Sequence, residues 1–385
     1  MNISKRLEKL PPYPFVEIDK KKKKAIEEGK DIISFGVGDP DLPTPSHIIE
    51  AAQKALANPK HHQYPFGAGL KNFREAVSNW YKKRFNVLLD PDTEIHSCIG
   101  SKDGLSHLHF AFINRGDTVL IPSPGYPVYK TSTIFTDGEP YYLPLKKENG
   151  FLPDLNAVAE KILSQAKILF VNSPNNPTAS VATTAYFKGL IALAKKYGFI
   201  IVHDAAYSEI YFEDPPISFL EVEGAKEVGL EFHSCSKTYN MTGWRVGWFC
   251  GNSKLVSAIG KVKDNFDSGV FEAIQMAAVA ALTSSQKCVE EMRAIYKERR
   301  DILISGLKKL GWNVDSPKAT FYVWAEVPKG YSSSKVVEKL IEEASIVITP
   351  GSAFGAEGEG YVRFALTTPK ERIQTALDRL SKINW

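Results

Sequence analysis

The strongest constraint on the fold is a regular alternation of short apolar runs with amphipathic stretches, from about residue 46 to residue 285. The clearest apolar runs lie at residues 118–121, 168–171 and 199–203. Runs of β-branched and aromatic residues that are separated by helical patterns indicate parallel strands, because helices then cover both faces of the sheet. The sequence therefore predicts an α/β fold with a mostly parallel central sheet.

The two ends of the chain differ from this central part. After about residue 291 the pattern changes to a long charged helix that ends at Lys309, a strand around 321–324 and a final helix over 369–382. This order of elements indicates a smaller α+β domain. Six prolines before residue 46 favour an extended arm rather than a core element. The predicted units are an arm at 1–45 that packs with the small domain, a large domain at 46–285 and a small domain at 286–385.

The composition is typical of globular proteins and excludes several classes of function. Hydrophobic residues make up 43% and charged residues 24%, and no stretch approaches the roughly 20 apolar residues of a membrane helix. The first residues run into charges and prolines without an apolar segment, so no secretory signal is predicted and the cytoplasm is expected. The four cysteines are too scattered for a disulfide framework or a zinc ribbon, so reduced thiols and no metal are expected.

The net charge of +4 is mild, and its densest cluster is the run of five lysines at 20–24. A basic run of this kind can bind nucleic acid or an anionic membrane. Here it lacks interleaved aromatic residues and is followed by acidic ones, which favours a solvated helix face. Neither a nucleic-acid partner nor a membrane partner is expected.

The densest chemical signal is the segment Ser-Cys-Ser-Lys-Thr-Tyr-Asn-Met-Thr-Gly-Trp-Arg-Val-Gly at 234–247. It places Lys237 among small hydroxyl residues, with Arg245 eight positions later. A lysine amine condenses with an aldehyde, and pyridoxal phosphate is held by this reaction. The hydroxyl of Ser234 and an arginine fork suit a phosphate dianion. A lone lysine is most often a surface residue, but this flanking pattern favours a cofactor-binding lysine.

This segment resembles the lysine motif of the class I aminotransferases, which are fold type I pyridoxal-phosphate enzymes. Seven further motifs of that family follow the family's order, so the resemblance covers nearly the whole chain. They are Phe-Gly-Val-Gly-Asp-Pro at 35–40, Tyr-Pro-Phe-Gly-Ala-Gly at 64–69, Gly-Ser-Lys-Asp-Gly at 100–104, Pro-Gly-Tyr-Pro-Val-Tyr at 124–129, Ser-Pro-Asn-Asn-Pro-Thr at 173–178, Asp-Ala-Ala-Tyr at 204–207 and Tyr-Val-Arg-Phe at 361–364. The resemblance implies pyridoxal 5′-phosphate as cofactor and exchange of an amino group between an amino acid and a 2-oxo acid.

Asp204 directly follows the apolar run at 199–203, at the carboxyl end of a predicted strand, where open α/β sheets bind ligands. A carboxylate there can keep a pyridine nitrogen protonated, and the protonated ring withdraws electrons during catalysis. The alternative role for this aspartate is a helix cap. The resemblance implies that Tyr207 and Asn176 bond the phenolic oxygen of the cofactor; for Asn176 a simple turn is a compatible alternative.

The residues at 100–102 follow an apolar strand and begin an amphipathic segment. Backbone N–H groups at a helix start attract anions. Ser101 and Lys102 are therefore predicted to complete a phosphate site with Ser234 and Arg245. Tyr126 offers an aromatic face for stacking on the pyridine ring, with an ordinary core tyrosine as the alternative.

The resemblance also implies substrate-binding residues. Arg363 is similar to the arginine that binds the substrate α-carboxylate, whose shape matches a guanidinium fork. Gly38, Asn176 and Tyr13 are expected beside the same substrate. Tyr64 resembles a tyrosine that reaches the phosphate of the neighbouring subunit, which implies a homodimer with shared sites.

The predicted catalytic residues are Lys237, Asp204 and Tyr207. A lysine that is to move the α-proton needs a lowered pKa, because a free lysine has a pKa near ~10.4. The sequence predicts that the cationic side chains of Arg245 and Arg363 depress the pKa of Lys237.

Three loop segments, at 9–15, 148–155 and 219–228, resemble LL-diaminopimelate aminotransferases, which exchange amino groups with 2-oxoglutarate in lysine biosynthesis. For the far end of such a substrate, Tyr13, Lys102 and Asp103 are candidate ligands. An aspartate, alanine or broad amino-acid aminotransferase is the alternative, although no second substrate-binding arginine can be identified. A lyase of the same fold is a more remote alternative. A nicotinamide dehydrogenase is disfavoured, because no Gly-x-Gly-x-x-Gly motif joins a strand to a helix.

Overall fold

The computed structural model describes residues 2–10, 20, 22–24 and 26–385. Its helices include α1 Lys5–Glu8, α2 Ser46–Leu56, α3 Lys71–Phe85, α4 Ser101–Phe112, α5 Pro127–Phe135, α6 Glu160–Gln165, α7 Thr184–Tyr197, α8 Ala225–Val228, α9 Cys235–Thr238, α10 Ser253–Phe266, α11 Glu272–Thr283, α12 Lys287–Lys309, α13 Ser333–Ala344 and α14 Lys370–Leu380. Its strands include β1 Ile33–Ser34, β2 Ile95–Cys98, β3 Thr118–Ser123, β4 Glu139–Pro144, β5 Ala166–Asn172, β6 Ile200–Asp204, β7 Gly229–Ser234, β8 Gly247–Gly251, β9 Tyr322–Glu326, β10 Ile346–Val347, β11 Thr349–Pro350 and β12 Tyr361–Ala365.

The central sheet has seven strands in the order β2-β8-β7-β6-β5-β3-β4. β8 runs antiparallel to both of its neighbours, and the other pairs are parallel. The prediction of a mostly parallel sheet is therefore confirmed. The side chains of successive residues point to opposite faces of the sheet. Phe170 and Val202 pack in one apolar cluster, whereas Leu169 and Ile201 pack in the other. Burial on both faces explains the runs of consecutive apolar residues in these strands.

The carboxyl ends of neighbouring parallel strands meet at one edge of the sheet. β5 ends at Asn172, which pairs in register with Asp204 at the end of β6. Ser234 ends the adjacent β7. These polar residues follow apolar strands and form a row at this edge, where an open α/β sheet places its ligands.

A second, smaller sheet of three antiparallel strands has the order β11-β12-β9. β1, from the N-terminal part of the chain, pairs in parallel with β10, which joins Ile33 to Ile346. Ile33 and Phe35 are 1% and 0% exposed, so the prediction that the first 45 residues contribute no core element is wrong for this part. The pairing with β10 carries these two apolar side chains into the core. The domain limits at residues 45 and 285 stay predictions.

Other predicted features can be compared directly with the described residues. The charged helix predicted to end at Lys309 is α12, and the final helix predicted over 369–382 is α14. In the lysine run, Lys20, Lys23 and Lys24 are exposed, as expected of a solvated face. All four cysteines are free thiols. Within the described part of the chain, no helix combines the length and the apolar character needed to cross a membrane.

Candidate active site

A cavity of about 350 Å³ lies at the carboxyl ends of the parallel strands and is lined from both sheets. Its volume is within the usual range for small-molecule sites. Among the described residues, Tyr64 and Asp103 are the predicted site candidates that do not line it. The predicted residues in the lining are Gly38, Ser101, Lys102, Tyr126, Asn176, Asp204, Tyr207, Ser234, Lys237, Arg245 and Arg363.

Lys237 lies in the short helix α9, immediately after β7. The Ser234 hydroxyl accepts a hydrogen bond from the Ser236 N–H at 3.1 Å and so fixes the start of this helix. The Lys237 Nζ donates to the Gly38 carbonyl at 2.9 Å. The strand end, the cap and the Gly38 carbonyl together hold the amine at the cavity wall.

The surroundings of Lys237 lower its pKa to about 8. Burial is the largest cause, the charge of Asp39 opposes it, and the charges of Arg363 and Arg245 add to it. The predicted direction is therefore correct, but the prediction that the two arginines dominate is wrong. A buried ammonium loses hydration, and this loss outweighs repulsion from more distant cations.

Asp204 ends β6 and is 4% exposed. The Tyr129 hydroxyl donates to its Oδ2 at 2.7 Å, and the Ala206 N–H donates to Oδ1 at 3.3 Å. Burial raises the pKa of Asp204, although the Tyr129 bond opposes this effect. A turn rather than a helix follows the strand, so Asp204 is not a helix cap. A cation opposite this buried carboxyl would favour its charged form.

A cationic cup forms where α4 begins. Gly100, at φ 77°, precedes the helix, and a Cβ at this position would lie 2.5 Å from Arg245 Nη2. The glycine therefore lets the guanidinium approach the helix start closely. The Arg245 guanidinium donates to the carbonyls of Thr242 and Ile99, at 2.9 and 3.2 Å, and both acceptors are uncharged. The helix start and this guanidinium give the cup a positive potential suited to a phosphate.

Arg363 and Asn176 lie in direct contact, as the motifs had placed them in one site. Arg363 is 1% exposed; its Nη1 donates to Asn176 Oδ1 at 2.8 Å, and its Nη2 donates to the Gly36 carbonyl at 2.7 Å. These bonds hold a buried guanidinium in a fixed orientation at the cavity wall. A carboxylate that enters the cavity would meet a rigid cationic partner.

Tyr322 also lines the cavity, although sequence reasoning had assigned it no role. Its hydroxyl lies 2.9 Å from the Tyr207 hydroxyl, and its ring centroid lies 4.2 Å from Arg363 Cζ. In the register of β12 and β9, Arg363 faces Trp324, so Tyr322, two residues away on β9, shares its face. The strand around 321–324 was predicted, but the sequence does not show which aromatic residue faces the site.

Two predicted positions, Tyr64 and Asp103, lie outside the cavity lining. Tyr64 is 72% exposed and stacks on Phe66, with ring centroids 5.4 Å apart, outside the cavity of its own chain. Asp103 accepts a bond from Lys263 Nζ at 2.6 Å and does not line the cavity, so its candidate role at the substrate is not supported. The pairing with a lysine 160 positions away had no signal in the sequence. Tyr13 lies outside the described residues.

Residues 30–380 match the family model described as aminotransferase class I and II. The chain belongs to the class I and II aminotransferases. The matched range includes the lysine at the end of β7, the aspartate at the end of β6 and the arginine on β12.

Relatives of this aminotransferase match it over their full length. It is 52% identical over 383 residues to the LL-diaminopimelate aminotransferase of Syntrophobacter fumaroxidans, with 99% of each chain covered. It is 52% identical over 381 residues to the enzyme of that name from Aquifex aeolicus, with 99% of this chain and 98% of the relative covered.

Solved structures agree with the fold. A substrate-bound BacF structure from Bacillus subtilis superposes with a TM-score of 0.96 at 39% identity, covering 99% of this chain and 98% of that one. A double mutant of Thermus thermophilus aspartate aminotransferase gives a TM-score of 0.93 at 31% identity, covering 99% of both chains. The fold is that of the fold type I pyridoxal-phosphate enzymes, as the motifs implied.

Pyridoxal 5′-phosphate is the cofactor of this aminotransferase family, and the cavity suits it. One wall carries a positive cup whose guanidinium contacts only uncharged carbonyls among its hydrogen-bond acceptors in the described chain. Another wall carries the buried carboxyl of Asp204, whose donors are uncharged. A group with a phosphate at one end and a basic ring nitrogen at the other would satisfy both walls.

Proposed function

We propose that this aminotransferase exchanges an amino group between LL-2,6-diaminopimelate and 2-oxoglutarate. The observation that carries the proposal is the identity of 52% to relatives of that name, which extends over 99% of this chain. The matched range extends over nearly the whole of both chains and is not limited to the family motifs. An aspartate aminotransferase is the second candidate, because the chain matches the structure of the Thermus thermophilus enzyme of that name at 31% identity.

We infer that each group of cavity residues binds a different part of the cofactor. When bound, pyridoxal phosphate supplies an electron sink that stabilises negative charge at the α-carbon of the substrate. Lys237 would hold it covalently, Asp204 would face its ring nitrogen, and Tyr126 would stack on its ring. The remaining contacts would come from Ser101, Lys102, Ser234 and Arg245 at the phosphate and from Asn176 and Tyr207 at the phenolic oxygen.

Lys237 Nζ is proposed to take the proton from the substrate α-carbon. With a pKa of about 8, an appreciable fraction of this amine is uncharged near neutral pH. The Gly38 carbonyl, 2.9 Å away, keeps the amine at the cavity wall while it is free. A base in a fixed position avoids the entropic cost of finding the proton.

Arg363 is proposed to bind the α-carboxylate of the amino acid. Its bonds to Asn176 and Gly36 orient the guanidinium before the substrate arrives. The second ammonium-carboxylate end of diaminopimelate needs polar partners farther out. Lys102 is an exposed side chain on the cavity lining and is our candidate for the distal carboxylate. Tyr13, in the undescribed part of the arm, stays a predicted partner.

The substrate assignment predicts a ranking of amino donors. With 2-oxoglutarate as acceptor, kcat/KM for LL-diaminopimelate is expected to exceed that for aspartate or alanine by about tenfold or more. Alanine has no distal carboxylate and the one of aspartate lies closer to the α-carbon, whereas a charged hydrogen bond at the distal end of diaminopimelate contributes roughly 1.5–3 kcal/mol. Steady-state assays with each donor measure this ranking. If aspartate or alanine turned over and LL-diaminopimelate gave no exchange, the diaminopimelate assignment would be wrong and the enzyme would be a general aminotransferase. Release of carbon dioxide or ammonia without exchange would indicate a lyase.

We propose that the enzyme is a homodimer with shared sites. Tyr64 and Phe66 are 72% and 79% exposed and stack on each other, which leaves an aromatic surface outside the cavity of their own chain. A large exposed aromatic pair is typical of an interface. The resemblance of Tyr64 to a tyrosine that reaches the phosphate of the neighbouring site supports the same arrangement.

The shared site predicts a defect in cofactor binding. Tyr64→Phe is expected to raise the dissociation constant of pyridoxal phosphate by about 10- to 150-fold, since it removes a hydrogen bond to a charged group worth roughly 1.5–3 kcal/mol. Fluorescence titration of cofactor-free protein measures this constant. Tyr142→Phe, at a tyrosine that is 40% exposed on β4, serves as the control and should bind normally. Sedimentation of an active monomer would refute the shared site.

We also place the reaction in lysine biosynthesis in the cytoplasm. All four cysteines are free thiols, which fits a reducing compartment. The proposed substrate pair belongs to small-molecule metabolism, and it requires neither a nucleic-acid partner nor a membrane partner.

A further inference from the structure

Tyr322 lies where three functional elements of the cavity meet. It is 2% exposed, its hydroxyl contacts the Tyr207 hydroxyl at 2.9 Å, and its ring lies under the Arg363 guanidinium. A Cβ at Gly38 would lie 2.0 Å from the Tyr322 hydroxyl oxygen. The backbone that accepts the bond from Lys237 is therefore packed against the same hydroxyl.

We propose that Tyr322 is a positioning residue that donates its hydroxyl proton to Tyr207 and thereby leaves the Tyr207 proton directed at the cofactor. The proposal rests on the proposed function and deepens it, because it takes Tyr207 as a ligand of the phenolic oxygen. Tyr322 acts through its neighbour and has no step of its own in the proton transfer.

The direction of the hydroxyl pair decides what Tyr207 can do. Each hydroxyl carries one proton, and a bond between the two oxygens uses one of them. If Tyr207 donated to Tyr322, Tyr207 would present only an acceptor to the cavity. If Tyr322 donates, Tyr207 keeps its proton for an anionic oxygen in the cavity.

The charge of Arg363 favours Tyr322 as the donor. Its guanidinium carbon lies 4.2 Å from the centroid of the Tyr322 ring, and a cation over a phenol makes the hydroxyl more acidic. Burial raises the pKa of both tyrosines, so both stay protonated at working pH. Tyr322, the better donor, therefore donates its proton to Tyr207. Consecutive hydrogen bonds, from Tyr322 to Tyr207 and from Tyr207 to the cofactor, strengthen each other.

Tyr322 also connects the two halves of the site. Arg363, which is proposed to bind the substrate carboxylate, lies on the small sheet, whereas Tyr207 follows β6 of the large sheet. Tyr322 contacts both, through its ring and its hydroxyl respectively. Its removal would therefore change the environment of the cofactor oxygen without removing any cofactor ligand.

The test is Tyr322→Phe, which keeps the ring under Arg363 and removes only the hydroxyl. The visible absorption band of the bound cofactor is titrated with pH. Because the phenolic oxygen loses support for its anionic form, the midpoint is expected to move upward by about 0.5 pH unit, a threefold change in proton affinity. The dissociation constant of the cofactor should rise about threefold, whereas KM for the amino donor should change little because Arg363 keeps its partner.

Two comparisons separate positioning from general damage. Tyr239→Phe removes another buried hydroxyl, which donates to Gln286 Oε1 at 2.8 Å outside the cavity lining, and it should leave the midpoint unchanged. In a Tyr207→Phe background, Tyr322→Phe should add no further shift. An unchanged midpoint in Tyr322→Phe, or a full shift that persists without the Tyr207 hydroxyl, overturns the proposal.

The same measurements distinguish a failure of the proposal for Tyr322 from a failure of the proposed role of Tyr207. If Tyr207→Phe alone leaves the titration unchanged, Tyr207 does not bind the phenolic oxygen and the proposal for Tyr322 falls with it. The amino donor assignment is decided separately, by the donor ranking. Equilibrium unfolding of each variant shows whether it is folded, and the cofactor dissociation constant of the folded protein then gives a second, independent readout.

Discussion

Lys237→Ala is expected to abolish multiple turnover, lowering kcat by about 10⁴-fold or more. The change removes both the proposed covalent attachment of the cofactor and the amine that moves the α-proton, and a general base alone contributes about 10²- to 10⁴-fold. The short helix α9 and the Gly38 carbonyl hold the Lys237 amine at this point of the cavity wall. Steady-state exchange between LL-diaminopimelate and 2-oxoglutarate measures the loss.

Peptide mapping makes the same assignment without an activity measurement. Borohydride treatment of the cofactor-loaded parent protein should leave the pyridoxyl label on Lys237. A label on Lys102 or on the lysine run at 20–24 would contradict the assignment, as would sustained turnover in Lys237→Ala. Lys196→Ala is the matched control, because Lys196 is an exposed lysine that pairs with Glu160 at 3.1 Å, and it should retain parental kcat.

The sheet could be predicted because its strands carry their own signal. A strand buried on both faces is mostly apolar, so β3, β5 and β6 each contain a run of three or four consecutive apolar residues. The polar residue that ends such a run is conspicuous, and this is how Asp204 was found. Family motifs then identified the partners from other strands, and the cavity contains nearly all of them.

Long-range contacts explain what the sequence did not reveal. Tyr322 acts through Tyr207, which lies 115 positions away in the sequence. Asp103 accepts a hydrogen bond from Lys263, which belongs to another helix. Neither pairing leaves a local pattern. Burial of Lys237 is likewise a property of the packed molecule, so charged neighbours in the sequence gave the correct direction of the pKa shift and the wrong main cause.

A further long-range cluster joins β6 and β7 next to the active site. Glu231 of β7 is fully buried and accepts hydrogen bonds from Tyr81 at 2.7 Å and from His203 and His233, both at 2.8 Å. His203 also bonds the Ser173 carbonyl at 2.9 Å through its other ring nitrogen, Nε2. His203 directly precedes Asp204 in β6, so this cluster joins β6 and β7 just below the carboxylate that is proposed to face the cofactor.

The geometry of the cluster surrounds a single carboxylate with hydrogen-bond donors. The Ser173 carbonyl is only an acceptor, so His203 donates to it from Nε2. The Nδ1 of His203, the Nε2 of His233 and the Tyr81 hydroxyl face the oxygens of Glu231. Burial alone would raise the pKa of Glu231, but the bonds and charges of the two histidines hold it well below its usual value.

Glu231→Gln is therefore expected to destabilise the folded protein by about 3–5 kcal/mol at pH 7, since it removes a buried carboxylate and leaves the groups of Tyr81, His203 and His233 that bond it facing an amide. Denaturant unfolding of the cofactor-loaded protein at fixed concentration measures this difference. Because the pKa of Glu231 is lower in the folded chain than in the unfolded chain, its contribution is complete above about pH 4.3 and declines as the pH falls below that value. Glu227→Gln, at an exposed carboxylate paired with Lys195, should cost less than about 1 kcal/mol. A loss as small as that of the control, or one that does not diminish in acid, would show that Glu231 is not a stabilising buried carboxylate.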